Sequence, residues 1–473
     1  MATPNIVWVT LDSVRADHTT MHGYRRDTTP ELAALARDGV AFETCIAHSS
    51  RTPVSVPSML TGTYPSRHGV GLGAGVCGRI PDTMATVPDI LRDCGYTSVA
   101  VSRNVYAGEV TGLADRFDRF VSPTLRDDLL SYPFVRSLAK YGAAAHRHSG
   151  GLTLDKQRHP KSFLVSDVAK RVLAEETRGA DSVFLYLHYN DPHRPYYPPA
   201  SFRDRYTTEA GVDPDAALDF ARDMHEHAYE YMAKGLPFSE TQWEMLYAMY
   251  DAAIAYTDHC LGSLLTFIRE QVGETIVVVT ADHGELFGEY GLLGHHIVLD
   301  DAITHTPLVV SGCPELERAR EDVVQHVDVM QTIVSMVGGD TSQFQGYDLR
   351  SECRPFAVSQ DLRGTVVDPN RQDYERIRQH NPEFDTTPFH RSLLTTLRTN
   401  EFRLQHTDEW RKLHHLPDER TVVNDTYPDV YSDLTARLTA WLETYGQPYA
   451  ESRTEESHSP RTRERLREMG YLE

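Results

Sequence analysis

Among the side chains able to do chemistry, Thr52 has the neighbours a nucleophile needs. It opens the stretch Thr52-Pro53-Val54-Ser55-Val56-Pro57-Ser58-Met59-Leu60-Thr61-Gly62, where Thr52 suits a helix N-cap and Pro53 the first helical position. A hydroxyl at a helix start meets free backbone N–H groups and the positive end of the helix dipole. Together these hold a phosphate or sulfate group and stabilise an ionised oxygen. Asp12 closes the apolar run Asn5 to Leu11, and Asp282 and His283 close a second run from Thr275 to Thr280. A third run, Ser182 to Leu187, leads into His188-Tyr189-Asn190-Asp191-Pro192-His193-Arg194-Pro195.

The three apolar runs have strand length and alternate with helical stretches, which implies a parallel sheet covered on both faces. Such sheets carry their sites beyond the carboxyl ends of the strands, so Asp12, Asp282, His283 and His193 converge there. Thr29, Pro30 and the Leu32, Leu35, Ala36 pattern, closed by Gly39, predict a short helix on one sheet face. Residues 200 to 248 look helical and are placed to wall the pocket, whereas 121 to 180 form a polar insertion with no assignable role. Leu434, Leu438, Trp441, Leu442 and Tyr445 make an amphipathic stripe ended by Gly446, which reads as core packing. The division expected is a catalytic domain over 1–385, a small C-terminal subdomain over 386–450 and a tail over 451–473, which docks by Leu466, Met469 and Leu472 or stays loose.

Several longer segments match one family in order and spacing. They include VTLDSVRADH at 9 to 18, TTPELAALARDGVAF at 28 to 42, the Thr52 to Gly62 element followed by TYPSRHGV, and VPDILRDCGYTSVAVSRN at 87 to 104. FLYLHYNDPHRPYYPP at 184 to 199, YDAAIAYTDHCLGSLL at 250 to 265 and TADHGELFGEYGLLGHH at 280 to 296 continue the series. The chain resembles a sulfatase, within the alkaline phosphatase superfamily, over nearly its whole length. That resemblance implies an α/β fold with a large, mostly parallel sheet sandwiched by helices and a small C-terminal α+β subdomain. It further implies that Asp12, Asp282 and His283 bind a divalent metal, with the Thr52 oxygen completing the site. Carboxylates with one imidazole suit Mn, Mg or Zn better than Ca. His193 and His295 resemble the family's histidines at the ester oxygens and leaving group, either being a candidate general acid. Asn104 and Tyr106 fall where many sulfatases place a Lys and a His that grip the anion. His296, His188, Asp191 and Arg103 are further candidates for supporting or substrate contacts.

The departures from the family bear on mechanism. Sulfatases of the main type carry Cys or Ser followed by x-Pro-x-Arg, and that residue is oxidised to formylglycine. Counting back from Leu60-Thr61-Gly62 places Thr52 at the nucleophile position and Val56 at the Arg position. Thr cannot become formylglycine, so none is expected. Ser55 in Ser55-Val56-Pro57-Ser58-Met59 imitates the motif but sits three residues too close to Gly62. A formylglycine hydrate releases sulfate by collapsing to an aldehyde, whereas a Thr ester needs a second displacement by water. Relatives in the superfamily that use Thr are typically phosphodiesterases or phosphoryl-group transferases. A second metal to ease that step would have Asp191, His193 and His295 as its spare ligands. The reading is a metal-dependent hydrolase of sulfate esters acting through a covalent Thr52 intermediate on a small anionic ester. The alternatives are a phosphodiesterase or phosphoryl-group hydrolase or transferase of the same superfamily, and an inactive anion-binding protein.

Charge and composition bound the partners. A net charge of −21 at pH 7 argues against nucleic acid and against an anionic membrane surface. The six cysteines show no CxxC spacing and read as small buried residues or free thiols. The first strand begins by Asn5, leaving no room for a signal peptide, and no run reaches membrane-spanning length, so a cytoplasmic location is expected.

Overall fold

A computed structural model describes residues 3–71, 78–123, 132–151, 159–295, 297–361 and 371–446. The three apolar runs form neighbouring strands, Asn5–Leu11, Ser182–Tyr189 and Thr275–Ala281. Asn5–Leu11 lies between the other two and is parallel to both, with Trp8 opposite Tyr186 on one side and Val278 on the other. Tyr96–Ser102 and Arg119–Val121 extend the sheet in parallel beyond Ser182–Tyr189. On the opposite flank Leu308–Ser311 and Val40–Ala41 add antiparallel pairings. The central strands are buried on both faces, which is why they read as unbroken apolar runs rather than alternating ones.

Helix Pro30–Asp38 forms where its Pro start and Gly39 stop predict it. Helix Ser162–Glu176 covers one face of the sheet with Leu164, Val165, Val168 and Val172. The stretch after residue 200 is helical, as Asp204–Ala210, Pro214–Glu226, Ala228–Ala233 and the start of the 32-residue helix Glu240–Gln271. From that long helix, Tyr250 reaches the first strand's exit. Its hydroxyl donates to the Ser13 carbonyl at 2.7 Å and accepts from the Arg15 N–H at 3.1 Å, which fixes the loop that carries Asp12.

The helix Thr52–Thr61 starts one residue earlier than the capping pattern implies. Arg51 occupies the cap position, and its carbonyl accepts from the Val54 and Ser55 N–H groups, so Thr52 is the first helical residue. Its side chain makes no cap hydrogen bond to its own helix, leaving the hydroxyl available to other elements.

A second sheet of four antiparallel strands, Ala357–Asp361, Leu394–Arg398, Phe402–His406 and Arg411–His415, packs against helix Pro428–Tyr445. Leu434, Leu438 and Trp441 of the predicted stripe join Val358, Leu397, Leu404 and Leu413 in its core. Tyr64, just past helix Thr52–Thr61, enters the same core with its ring at 90° to Trp441 and 4.7 Å away. Buried Arg403 pairs with Asp300 at 2.9 Å and Arg398 with Asp301 at 2.8 Å, tying this sheet to the start of helix Asp301–Thr304. Cys45, Cys260 and Cys313 are buried free thiols, while Cys77 and the tail from residue 447 lie outside the described residues. No helix among the described residues is long and apolar enough to cross a membrane.

Candidate active site

Asp12 leaves the end of the central strand, Asp282 and His283 leave the adjacent strand, and the three come together with Thr52 in a fully buried cluster. The Thr52 hydroxyl stands 3.3 Å from His283 Nε2. That nitrogen is 3.6 Å from Asp282 Oδ2 and 3.9 Å from Asp12 Oδ1. His283 Nδ1 lies 2.9 Å from the Gly284 carbonyl, which only accepts, so Nδ1 carries the proton. In the neutral ring Nε2 then presents a lone pair to Thr52 and both carboxylates.

The other oxygen of Asp12 is held by a separate set of donors. Asn104 Nδ2 donates to Asp12 Oδ2 at 2.9 Å, Asn190 Nδ2 donates at 3.3 Å, and His188 Nε2 stands 3.1 Å away. His188 is in turn oriented by the Tyr186 hydroxyl, 3.1 Å from its Nδ1. Asp282 Oδ1 accepts from the Ser13 and His283 N–H groups, while Oδ2 is buried without a hydrogen-bond partner.

These arrangements act on protonation. Burial alone would raise the Asp12 carboxyl, but the charges of His193, His188 and His283, with the His188 hydrogen bond, hold it well below its ordinary value. Burial raises the Asp282 carboxyl, and the neighbouring Asp12 adds to the effect. His283 is raised because Asp282 and Asp12 outweigh its desolvation. Two buried carboxylates, one with an oxygen lacking a hydrogen-bond partner, and a neighbouring imidazole are residue types that suit a divalent cation. Ligand atoms of Asp12, His188 and Asp282 also lie within 4.8 Å of one another.

His193 and His295 form the opposite wall. Their rings are 5.0 Å apart, and the His295 ring is 4.5 Å from that of His283. His193 Nδ1 lies 2.6 Å from the Arg194 carbonyl, and desolvation, with the charge of Arg194 adding to it, lowers its pKa to about 4. His295 Nδ1 faces Glu285 Oε2 at 3.4 Å. Burial raises the Glu285 carboxyl to about 7. Glu285 is not among the residues expected from the sequence, although it stands in the Asp282-His283-Gly284-Glu285 motif, the available signal being a third charged or titratable residue just ahead of the apolar Leu286 and Phe287.

Thr52, Asp12, Asp282, His283, His193, His295 and Asn104 are thus brought together. Asn104 has its amide engaged at both ends, since its Oδ1 accepts from the Tyr106 N–H while Nδ2 holds Asp12. In this arrangement it positions the Asp12 carboxylate. Tyr106 follows in the one-turn helix Val105–Ala107, half-buried beside it. Asp191 is engaged at a helix start. Its oxygens accept from the Lys161 and Ser162 N–H groups and the Ser162 hydroxyl, at the start of the helix covering the sheet. The Ser55 hydroxyl donates to the Ser49 carbonyl at 3.1 Å. His296 lies outside the described residues.

A layered α/β sheet with charged residues at the carboxyl ends of its parallel strands, facing a hydroxyl at a helix start, defines an ester hydrolase of the alkaline phosphatase-like class. A family model described as Sulfatase matches residues 4–339, and the chain belongs to the sulfatase family. The chain is 22% identical over 392 residues to the uncharacterized sulfatase YidJ of Escherichia coli, covering 79% of this chain and 75% of that protein. It is 24% identical over 397 residues to the multifunctional alkaline phosphatase superfamily protein PehA of Trinickia caryophylli, covering 72% and 75%. Among solved structures, a phosphonate monoester hydrolase from Silicibacter pomeroyi superposes with a TM-score of 0.67 at 21% identity, covering 93% of this chain and 96% of that one. A 2-O GAG sulfatase superposes with a TM-score of 0.66 at 16% identity, covering 94% and 92%.

Proposed function

We propose that the protein hydrolyses a sulfate or phosphate ester through a covalent Thr52 intermediate, supported by a divalent metal held by Asp12, Asp282, His283 and the Thr52 oxygen. The observation that carries this reading is the approach of the Thr52 hydroxyl to His283 Nε2, beside the bare Oδ2 of Asp282. Donors about 2.1 Å from a common ion stand roughly 3 to 3.5 Å from one another, near the 3.3, 3.6 and 3.9 Å separations around His283 Nε2. His188 is the weaker ligand candidate, because Asp12 and Tyr186 engage both its nitrogens.

A bound divalent ion supplies positive charge that favours the ionised Thr52 oxygen and offsets negative charge on the transferring group. The Thr52 oxygen attacks the sulfur or phosphorus, the bond to the leaving alcohol breaks, and His295 delivers a proton to the departing oxygen. His295 suits that task better than His193, since the Glu285 carboxyl stands 3.4 Å from its Nδ1 and orients the ring, whereas burial lowers the His193 pKa to about 4. Water then displaces the Thr52 oxygen, with His295 accepting the proton that water gives up, so that Thr52 and His295 return to the protonation states in which they began.

Between the two esters, the Thr nucleophile favours phosphate, because its ester must be cleared by this second displacement, while family membership favours sulfate. Matched nitrophenyl sulfate, phosphate monoester and phosphate diester substrates, assayed with Mn, Mg, Zn and Ca beside Thr52→Ala, test the proposal. Turnover of any of them that is lost in the variant supports it. Equal turnover by the variant removes Thr52 from the mechanism.

A further inference from the structure

The buried arginines of this protein have carboxylate partners. Arg26 pairs with Asp251 at 2.7 Å, Arg398 with Asp301 and Arg403 with Asp300, and Arg354 with Asp328. Arg194, half-buried beside the active site, differs: among the described residues no carboxylate or carbonyl takes its guanidinium within hydrogen-bond or ion-pair distance. A cation left in such a place has a ligand to find, because taking a guanidinium partly out of water without a counter-charge costs free energy.

Its position says where that ligand sits. Arg194 directly follows His193, and its guanidinium lies against Gly294, which directly precedes His295. Gly294 has φ +87°, and a Cβ there would stand 3.1 Å from Arg194 Cζ and Nη2. The absence of a side chain at 294 therefore leaves room for the guanidinium against the backbone next to His295. A second observation points to the same place. His225, on helix Pro214–Glu226, feels the charges of Arg194 and His193, and its Nδ1 is buried without a hydrogen-bond partner. Glu285 also feels Arg194 but stays beyond ion-pair distance, its Oε1 likewise lacking a donor.

Resting on the assignment of His193 and His295 to the leaving-group side, we infer that the alcohol portion of the substrate carries a second anionic group, a carboxylate or a further sulfo or phospho group, bound by Arg194 with His225 as an additional donor. Arg offers a planar fork of N–H donors that matches either group bidentately. The substrate class is then an ester of an acidic alcohol.

The test compares a nitrophenyl ester with carboxy- and sulfo-substituted counterparts of matched leaving-group pKa, at fixed ionic strength, in wild type, Arg194→Gln, Arg194→Lys and His225→Gln. Wild type is expected to favour at least one charged ester in kcat/KM by about tenfold or more, chiefly through KM. Which ester is favoured separates a carboxylate from a sulfo-type partner. Arg194→Gln loses that preference, Arg194→Lys keeps part of it, and His225→Gln loses a smaller part. An unchanged ratio in Arg194→Gln overturns the inference and leaves Arg194 as a distant counter-charge for Glu285. Calorimetric binding of hydroxybenzoate and hydroxybenzenesulfonate against phenol gives the same comparison without turnover. If no ester is hydrolysed yet the acids bind about tenfold tighter only when Arg194 is present, the hydrolase mechanism fails and the anion subsite stands. Ester hydrolysis with no charge preference in either readout means the reverse.

Discussion

Asp12, Asp282 and His283 leave the ends of adjacent strands, and each carboxylate has at least one oxygen fixed by donors from several elements. His193, His295 and Arg194 stand instead on loops, and their contacts include a carbonyl at His193, a carboxylate 3.4 Å from His295 and a glycine against Arg194. The first wall is anchored by a sheet buried on both faces and by Tyr250 from the long helix, so its geometry is set before any ligand arrives. The second retains bare polar atoms on Glu285 and His225. A wall built on strand ends suits the invariant part of the chemistry, the displacement at sulfur or phosphorus. A wall built on loops suits what varies between substrates, the leaving group.

The contrast is broken most severely at the nucleophile. Thr52→Ala should reduce turnover by about 10³-fold or more with an unchanged circular dichroism spectrum and melting transition. Residual turnover near wild type would place the chemistry elsewhere. Asp282→Asn comes next, removing the bare oxygen, with bound metal by atomic emission falling to trace and activity dropping by about 10²-fold or more. The same variant has a pH signature in metal-free protein. Burial favours the protonated Asp282 in the fold, so its stabilising contribution is complete below the ordinary value of 3.8 and is lost as pH rises through its raised folded value. Melting temperatures of chelated wild type should therefore fall over that range relative to the Asn variant, and parallel curves would contradict the assignment.

The loop wall gives a sharper comparison. His295→Asn should slow hydrolysis of alkyl esters by roughly 10²-fold or more while affecting nitrophenyl esters less, since a good leaving group needs little proton assistance. A uniform loss across leaving groups would instead assign His295 to ground-state binding. The smallest effect is expected for His188→Gln, which loosens Asp12 without removing a ligand. Metal affinity measured by titration should weaken by about tenfold to a hundredfold. Loss of metal on the scale of Asp282→Asn would make His188 a ligand in place of His283.

Legibility followed the same division. The strand-end residues were readable because buried parallel strands leave long apolar runs, and a charged residue immediately after one has few structural reasons to be there. Asn104 was located by family position, but its task was not readable. Only the fold sets Ser102 opposite His188 on the strand next to the first, so that the Asn104 amide just beyond it meets Asp12. Asp191 looked like a ligand for the opposite reason. A carboxylate in a strand-end loop caps a helix start as readily as it binds an ion, and its neighbour in space, Ser162, is distant in sequence.

The sequence by itself determined the family, the layered α/β class, the strand-end address of the site and the Thr at the head of its helix, because these rest on local periodicity and on residues adjacent in the chain. The tertiary structure decided which oxygen of Asp282 stays bare, which nitrogen of His283 faces Thr52, that Glu285 backs His295 and that no carboxylate among the described residues pairs with Arg194. Those are facts about hydrogen bonds between segments far apart in the chain, fixed only when packing brings their donors and acceptors within reach.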